Sequence, residues 1–262
     1  MTYNSRIPAT NDYLLSLGRS IYNFGYRRWG VVWKIAKYKP SFPSAAGGYA
    51  SIVIVNTYLG VAQGAPLPDQ TALMADARLF NLQFDDWQKI TNANPATDSA
   101  GNQVLIYNGH LGYSIYETND LTTLANGFQA GVPVTDIYLI ELGRAIYNFA
   151  YLRWGVVWQI ANCDPSFPNG AGDLSSEQIA TAFTDMANKL PQDNPDRTKL
   201  IANAAAFQDE RRTLLRLING NPCTGPGGEQ MLLYNGGLGY TLWTDDALDE
   251  AAQAFENSIL AL

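Results

Sequence analysis

The chain has 262 residues, 47% of them hydrophobic and 12% aromatic, with a formal net charge of −7. Such a composition supports a packed core, and a charged fraction of only 16% argues against an extended, disordered chain. The acidic balance, with no block of Lys or Arg, leaves no electrostatic footprint for nucleic acid or an anionic membrane surface.

The opening stretch MTYNSRIPATNDY has no charged-then-apolar leader pattern. The longest apolar run, Tyr49 to Ala62, is interrupted by Asn56 and Thr57, so no membrane span is expected. A cytoplasmic protein is the expectation, although a secreted mature form would read the same way. Thr10 then precedes a long helix over residues 11–37, closed by Pro40-Ser41-Phe42-Pro43. A second helix is expected from Ser51, despite the β-prone Ile52 to Val55. A third runs from Pro68-Asp69 to about Thr91 and ends in an Asn94-Pro95 loop. VLIYNGHLGYSIY places Asn108-Gly109 between β-prone residues, which favours a short hairpin over a glycine-kinked helix. A last helix covers residues 120–129.

The same order then returns. Residues 17–36, LGRSIYNFGYRRWGVVWKIA, recur as residues 142–161, LGRAIYNFAYLRWGVVWQIA. Thr135 precedes the second long helix, over residues 136–162, and Pro165-Ser166-Phe167-Pro168 closes it. Ser175, Ser176 and Glu177 open the next helix, with Ile179, Phe183, Met186 and Ala187 at helical spacing. These residues decide the helical reading of its twin, where Ile54, Tyr58, Val61 and Ala62 fill the matching slots. A short insertion near Pro191 follows. Then Pro195-Asp196 starts a helix to Ile218, and Asn221-Pro222, the MLLYNGGLGYTLW hairpin and a helix over residues 245–260 complete the chain. The halves join near Ala130 to Pro133, giving repeat 1 as residues 1–131 and repeat 2 as residues 132–262. The expected fold is mainly α: two tandem repeats related by a pseudo-twofold axis, with one short hairpin each.

At about 100° per residue, Tyr22, Tyr26, Trp29 and Trp33 form one stripe of the first long helix, and Tyr147, Tyr151, Trp154 and Trp158 form the same stripe of the second. Gly18, Gly25 and Ala36 lie beside the row and would let another helix approach. Ser20, Arg27 and Lys34 differ between the copies and cluster on another stripe, expected to face solvent. The aromatic row reads either as core between the repeats or as the wall of a pocket for an apolar or aromatic small molecule. Arg19 and Asn23, with Arg144 and Asn148, flank the row and would fix the polar end of such a ligand. Arg28 and Arg153 fall among apolar positions and call for carboxylate partners, for which Asp69 and Asp196 are the duplicated candidates.

The rest of the chemistry is narrow. His110 is the only histidine and its twin is Gly237, which excludes a duplicated histidine site. Cys163 and Cys223 have no partners in the first half and read as free thiols; no metal or cofactor is expected. No catalytic residue can be named, since no hydrolase triad or phosphate loop is present. A cofactor-independent lyase, isomerase or cyclase would have to use Tyr and Arg in the same cavity, or single-copy residues such as Asp76, Asp85, Asp86, Asp209 and Glu210. A structural or assembly role, with the aromatics as core, is a further reading, and carbohydrate binding a weaker one because the row looks enclosed. Ile52, Val53, Leu59, Leu82, Phe84 and Trp87 are apolar where the second copy is more polar, which points to a homo-oligomer contact on repeat 1 or the border of a cavity.

Overall fold

A computed structural model describes residues 9–128 and 133–262. Among them the chain is mainly helical, with two small antiparallel three-stranded sheets. Helix α1 (Asn11–Ala36) is followed by α2 (Phe42–Ala46), α3 (Ser51–Gly64) and α4 (Asp69–Thr91). Strands β1 (Asn94–Thr97), β2 (Gln103–Gly109) and β3 (Gly112–Tyr116) come next, then α5 (Thr118–Gly127). The second half repeats that order as α6 (Asp136–Ala161), α7 (Phe167–Gly170), α8 (Ser176–Lys189), α9 (Arg197–Ile218), β4 (Asn221–Thr224), β5 (Gln230–Gly236), β6 (Gly239–Trp243) and α10 (Asp245–Ala261). A 3-10 turn at Ala171–Asp173 is the one departure. Most of the expected junction, and Gln129 at the end of the expected fourth helix, lie outside the described residues.

Both long helices begin where their caps dictate. The Thr10 and Thr135 hydroxyls accept from the amides of Tyr13 and Tyr138. Helix α8 starts on a capping box, with Ser175 and Gln178 each satisfying the other's backbone amide. Segment Ser51–Gly64 is helical because Ile54, Val55, Tyr58, Val61 and Ala62 form its buried side, so tertiary packing overrides local β-propensity. The Pro-Ser-Phe-Pro turns continue into the one-turn helices α2 and α7.

Helices α1 and α6 make the most extensive contact in the fold and run in opposite directions. Gly18 meets the backbone of Leu139, and Gly143 meets the backbone of Leu14; a Cβ would lie 1.9 Å and 2.0 Å from those carbonyl oxygens. Only glycine allows two helix backbones to touch this closely. Gly25, in contrast, faces the Gly220 carbonyl and Leu232, not another helix.

Each half also has its own aromatic core. Phe24 stacks on Trp87 at 4.9 Å and on Phe80 at 5.9 Å, while Phe149 packs on Phe207 and Phe255. Phe84 and Trp87 are therefore core residues, whereas Ile52, Val53 and Leu82 remain exposed.

Two expectations about loops need correction. Asn94-Pro95 and Asn221-Pro222 lie in strands β1 and β4, not in loops; both are edge strands, where a proline without an N–H is tolerated. In the hairpins Asn108 pairs with Tyr113 and Asn235 with Tyr240, so the turns fall two residues later, at His110-Leu111 and Gly237-Leu238. Gly112 and Gly239 take the left-handed conformation that closes them.

The expected Arg–Asp pairs are also absent. Arg28 is fully buried and donates to the Asn219 carbonyl, the Asn221 side chain and the Tyr49 carbonyl. Arg153 donates to Asn94 and to the carbonyls of Ala171 and Leu174. Each arginine thus ties its long helix to the first strand of the opposite half's sheet. Burial lowers both guanidinium pKa values to about 10, still charged at neutral pH. Asp69 is left on the surface, accepting only a long bond from Tyr38. Backbone carbonyls and Asn oxygens supply the acceptors, without a carboxylate that would itself have to be desolvated.

Candidate functional site

The start of each long helix is fastened to a sheet. Tyr13 donates to the Tyr116 carbonyl, and Tyr138 donates to the Trp243 carbonyl while accepting from the Leu232 amide. Burial pushes both phenols well above their ordinary range. Beside each tyrosine lies a cavity. The one at Tyr138, about 520 Å³, is bounded by Val134, Gln230, Met231, Glu229 and Asp245. Its counterpart at Tyr13, about 230 Å³, is bounded by Thr10, Gln103, Val104, Asp98 and Glu117. Gln103 and Gln230, Val104 and Met231, and Thr10 and Thr135 are matching positions, so one kind of recess is built twice.

The aromatic row reaches these recesses through the glutamines. Gln103 is buried and accepts from both Tyr147 (2.6 Å) and Tyr151 (2.9 Å) of the other half. Gln230 accepts a longer bond from Tyr26 (3.4 Å) and donates its amide to Thr224. The rings follow the same connection: Tyr22 touches Tyr26 and Tyr138, and Tyr147 touches Tyr151 and Tyr13. The copies also differ at the first tyrosine of the row. The Tyr22 hydroxyl is buried without a hydrogen-bond partner, whereas Tyr147 has Gln103. An unmade bond of that kind costs on the order of 1–3 kcal/mol. Burial, followed by the neighbouring Tyr26, pushes the Tyr22 phenol up as well.

The remaining predicted residues go elsewhere. Trp29 and Trp33 form a T-shaped pair at 5.8 Å, as do Trp154 and Trp158, but Trp33 is 55% exposed and Trp158 40%. The row is therefore enclosed only at its tyrosine end. Arg19 pairs with Asp136, and Arg144 with Glu141 and Asp249. Asn23 and Asn148 donate to the carbonyls of Ala125 and Ala252, tying each long helix to α5 or α10.

The stripe assigned to solvent is interior at Ser20 and Arg27, while 40% of the Lys34 side chain stays exposed. Ser20 is fully buried and donates to the Leu121 carbonyl; Arg27 is 6% exposed. Asp76 receives bonds from Arg27 (2.9 Å), Lys34 (2.7 Å) and the Tyr58 hydroxyl (2.5 Å). Burial pushes the Asp76 carboxyl up, but those three donors outweigh it and leave it below its ordinary range. The signal for this cluster was in the sequence: Arg27, Tyr58 and Asp76 become Leu152, Phe183 and Asn203 together, so the whole ionic set is lost at once.

Among the described residues no group of His, Cys, Asp and Glu is arranged to hold a metal, and no helix is long and apolar enough to cross a membrane. Cys163 and Cys223 are free, and His110 sits in the β2–β3 turn. No family model, curated protein or solved structure matches the chain.

Proposed function

We propose that the protein binds an apolar or aromatic small molecule in the recess beside Tyr138, which is lined by repeat 2 (residues 132–262) and joined through Gln230 to Tyr26 of repeat 1 (residues 1–131). The observation that carries this reading is the linkage of Gln103 and Gln230, each on the wall of a recess, to tyrosines of the opposite half. A volume of about 520 Å³ is within the range of small-molecule sites. Tyr138, Val134 and Met231 offer the apolar wall. Glu229, Asp245 and Asp246 give the recess acceptors and no cation, so the guest's polar end is a donor such as an amine. Tyr26 holds Gln230, and Tyr147 and Tyr151 hold Gln103. Buried phenols that stay protonated favour binding over lyase or isomerase chemistry with a tyrosinate base.

Calorimetry with tryptamine, against indole as the neutral control, tests the reading together with native mass spectrometry of freshly isolated protein. Saturable tryptamine binding, weakened about tenfold by Gln230→Ala, is expected. No retained molecule and no tryptamine binding would sink the proposal. A second reading, stacking of a sugar on Trp33 and Trp158, is favoured by their exposure and is tested by a glycan array. The free thiols fit a reducing, cytoplasmic setting. Exposed Ile52, Val53 and Leu82 favour a contact between copies, which Leu82→Asp should disperse in light scattering.

A further inference from the structure

A third cavity, about 430 Å³, opens between the end of α1 and the start of α4 in the first half. Lys34, Lys37, Tyr58, Asp76, Ala72 and Leu73 line it. The second half shows what fills the matching place. There α10 runs on to Ala261, whereas α5 stops at Gly127. The Leu262 carbonyl accepts from Gln159 (2.6 Å) and Lys199 (3.4 Å), and the Ala261 carbonyl accepts from Asn203 (3.3 Å). The Leu262 side chain lies against Gly155, where a Cβ would come within 2.7 Å of it. Gln159, Lys199 and Asn203 are the sequence partners of Lys34, Ala72 and Asp76.

The charge differs between the two places by one positive unit. Leu152, Gln159 and Asn162 on α6 and its cap correspond to Arg27, Lys34 and Lys37, which adds three cations, while Ala72 in place of Lys199 removes one. Asp76 replaces Asn203 and adds one anion, but Arg27, Lys34 and Tyr58 already neutralise it at bonding distance. Asp69, at the mouth, is bonded by the Tyr38 hydroxyl. The charged side chains that line the cavity, Lys34, Lys37, Asp69 and Asp76, balance, and the buried Arg27 behind Asp76 adds one positive charge. Lys37 is exposed and has no ion-pair partner among the described residues, and the Lys34 ammonium bonds one carboxylate oxygen, which leaves it further donors.

We propose that this cavity binds a small organic anion, a carboxylate on a short branched aliphatic body, in the position that the Ala261–Leu262 main chain and the Leu262 side chain occupy in the second half. Lys37 and Lys34 take the carboxylate. Ala72 and Leu73 take the aliphatic part. The free acid and the end of a peptide share this chemistry, so both are used as probes. Isocaproate, isocaproamide and N-acetyl-alanyl-leucine are titrated calorimetrically into the full chain and into Lys37→Asn, which installs the second-half residue at an exposed position. Both acids should bind saturably, the amide at least tenfold more weakly, and Lys37→Asn should weaken the acids about tenfold with an unchanged melting temperature. The tighter of the two acids identifies the source, metabolite or peptide end. Equal binding of acid and amide, an unchanged affinity in Lys37→Asn, or no heat from either acid would overturn the proposal.

Discussion

The reciprocal glycine contact between α1 and α6 makes Gly18→Ala the sharpest test of the architecture. In isolation the substitution should help, because alanine is favoured over glycine in a helix interior by about 1 kcal/mol. The new Cβ, however, would lie 1.9 Å from the Leu139 carbonyl oxygen, 1.5 Å short of the 3.4 Å at which ordinary contact begins. All three nearest atoms, the Leu139 carbonyl oxygen and carbon and the Gly143 nitrogen, belong to backbone, so no rotamer change relieves them. Separating the helices loosens the packing around Leu14, Leu17, Leu139 and Leu142, all of them buried. Overpacking costs about 1–3 kcal/mol where side chains can adjust, and the rigid contact places Gly18→Ala at the top of that range. After the propensity gain a net loss of about 2 kcal/mol remains, or a fall of roughly 1 M in a urea midpoint. Gly60→Ala is the internal control: it sits within α3 with nothing inside 4 Å, and should gain up to about 1 kcal/mol. Gly143→Ala should match Gly18→Ala, and the double variant should lose less than the sum, because one separation relieves both clashes. Urea unfolding of the four variants by circular dichroism decides it. If Gly18→Ala stabilises as Gly60→Ala does, the helices do not meet backbone to backbone.

Arg28→Lys should cost about 3 kcal/mol in the same assay, because one ammonium cannot reach Asn219, Asn221 and Tyr49 together and buried acceptors go unmet; a near-neutral effect would mean these contacts are not made. Asp76→Asn should destabilise at pH 7 and progressively less as the pH falls below about 4. Since the folded carboxyl sits below its ordinary value, the stability it supplies is complete above about pH 4 and drains away as pH falls through the folded pKa. A gap between wild type and Asp76→Asn that stays constant across that window would refute the ionic role. Arg27→Leu with Asp76→Asn, which imports the second-half pair, should recover most of the loss of either single change; strict additivity would refute the direct contact.

Much of the secondary structure could be read before any coordinates. Thr10 and Thr135 announced the long helices, and the Ser175-Ser176-Glu177 start correctly outweighed the β-branched run at Ile52 to Val55. The packing of α1 on α6 was legible from small residues, though only Gly18 and Gly143 make the close approach. Other contacts were hidden because they join positions far apart in the chain. Nothing local distinguishes Asn94 or Asn221 as the acceptor for a buried arginine, yet Arg153 and Arg28 find them in the opposite half. A rule that pairs buried arginine with carboxylate looked past uncharged acceptors. The recesses were missed for the same reason: Gln103 and Gln230 flank the hairpins, and only the fold brings them to Tyr147, Tyr151 and Tyr26.

The misreading of Ser20, Arg27 and Lys34 carries the more general point. Change between two copies looks like tolerance, and tolerance looks like solvent. Yet Ser20 and Arg27 are buried, and so are their twins Ala145 and Leu152. What distinguishes tolerance from adaptation is whether the facing residue changes too. Opposite Arg27, Asp76 and Gln83 become Asn203 and Glu210; Tyr58, which bonds Asp76, becomes Phe183; and Gln159, in place of Lys34, holds the Leu262 carbonyl. A buried charge cannot be removed from one side of a contact alone without leaving its partner desolvated and unpaired, so the ionic set had to be exchanged as a unit. The stretch where the copies differ is therefore where each half has adapted to a different occupant, and in the first half that stretch lines an open cavity.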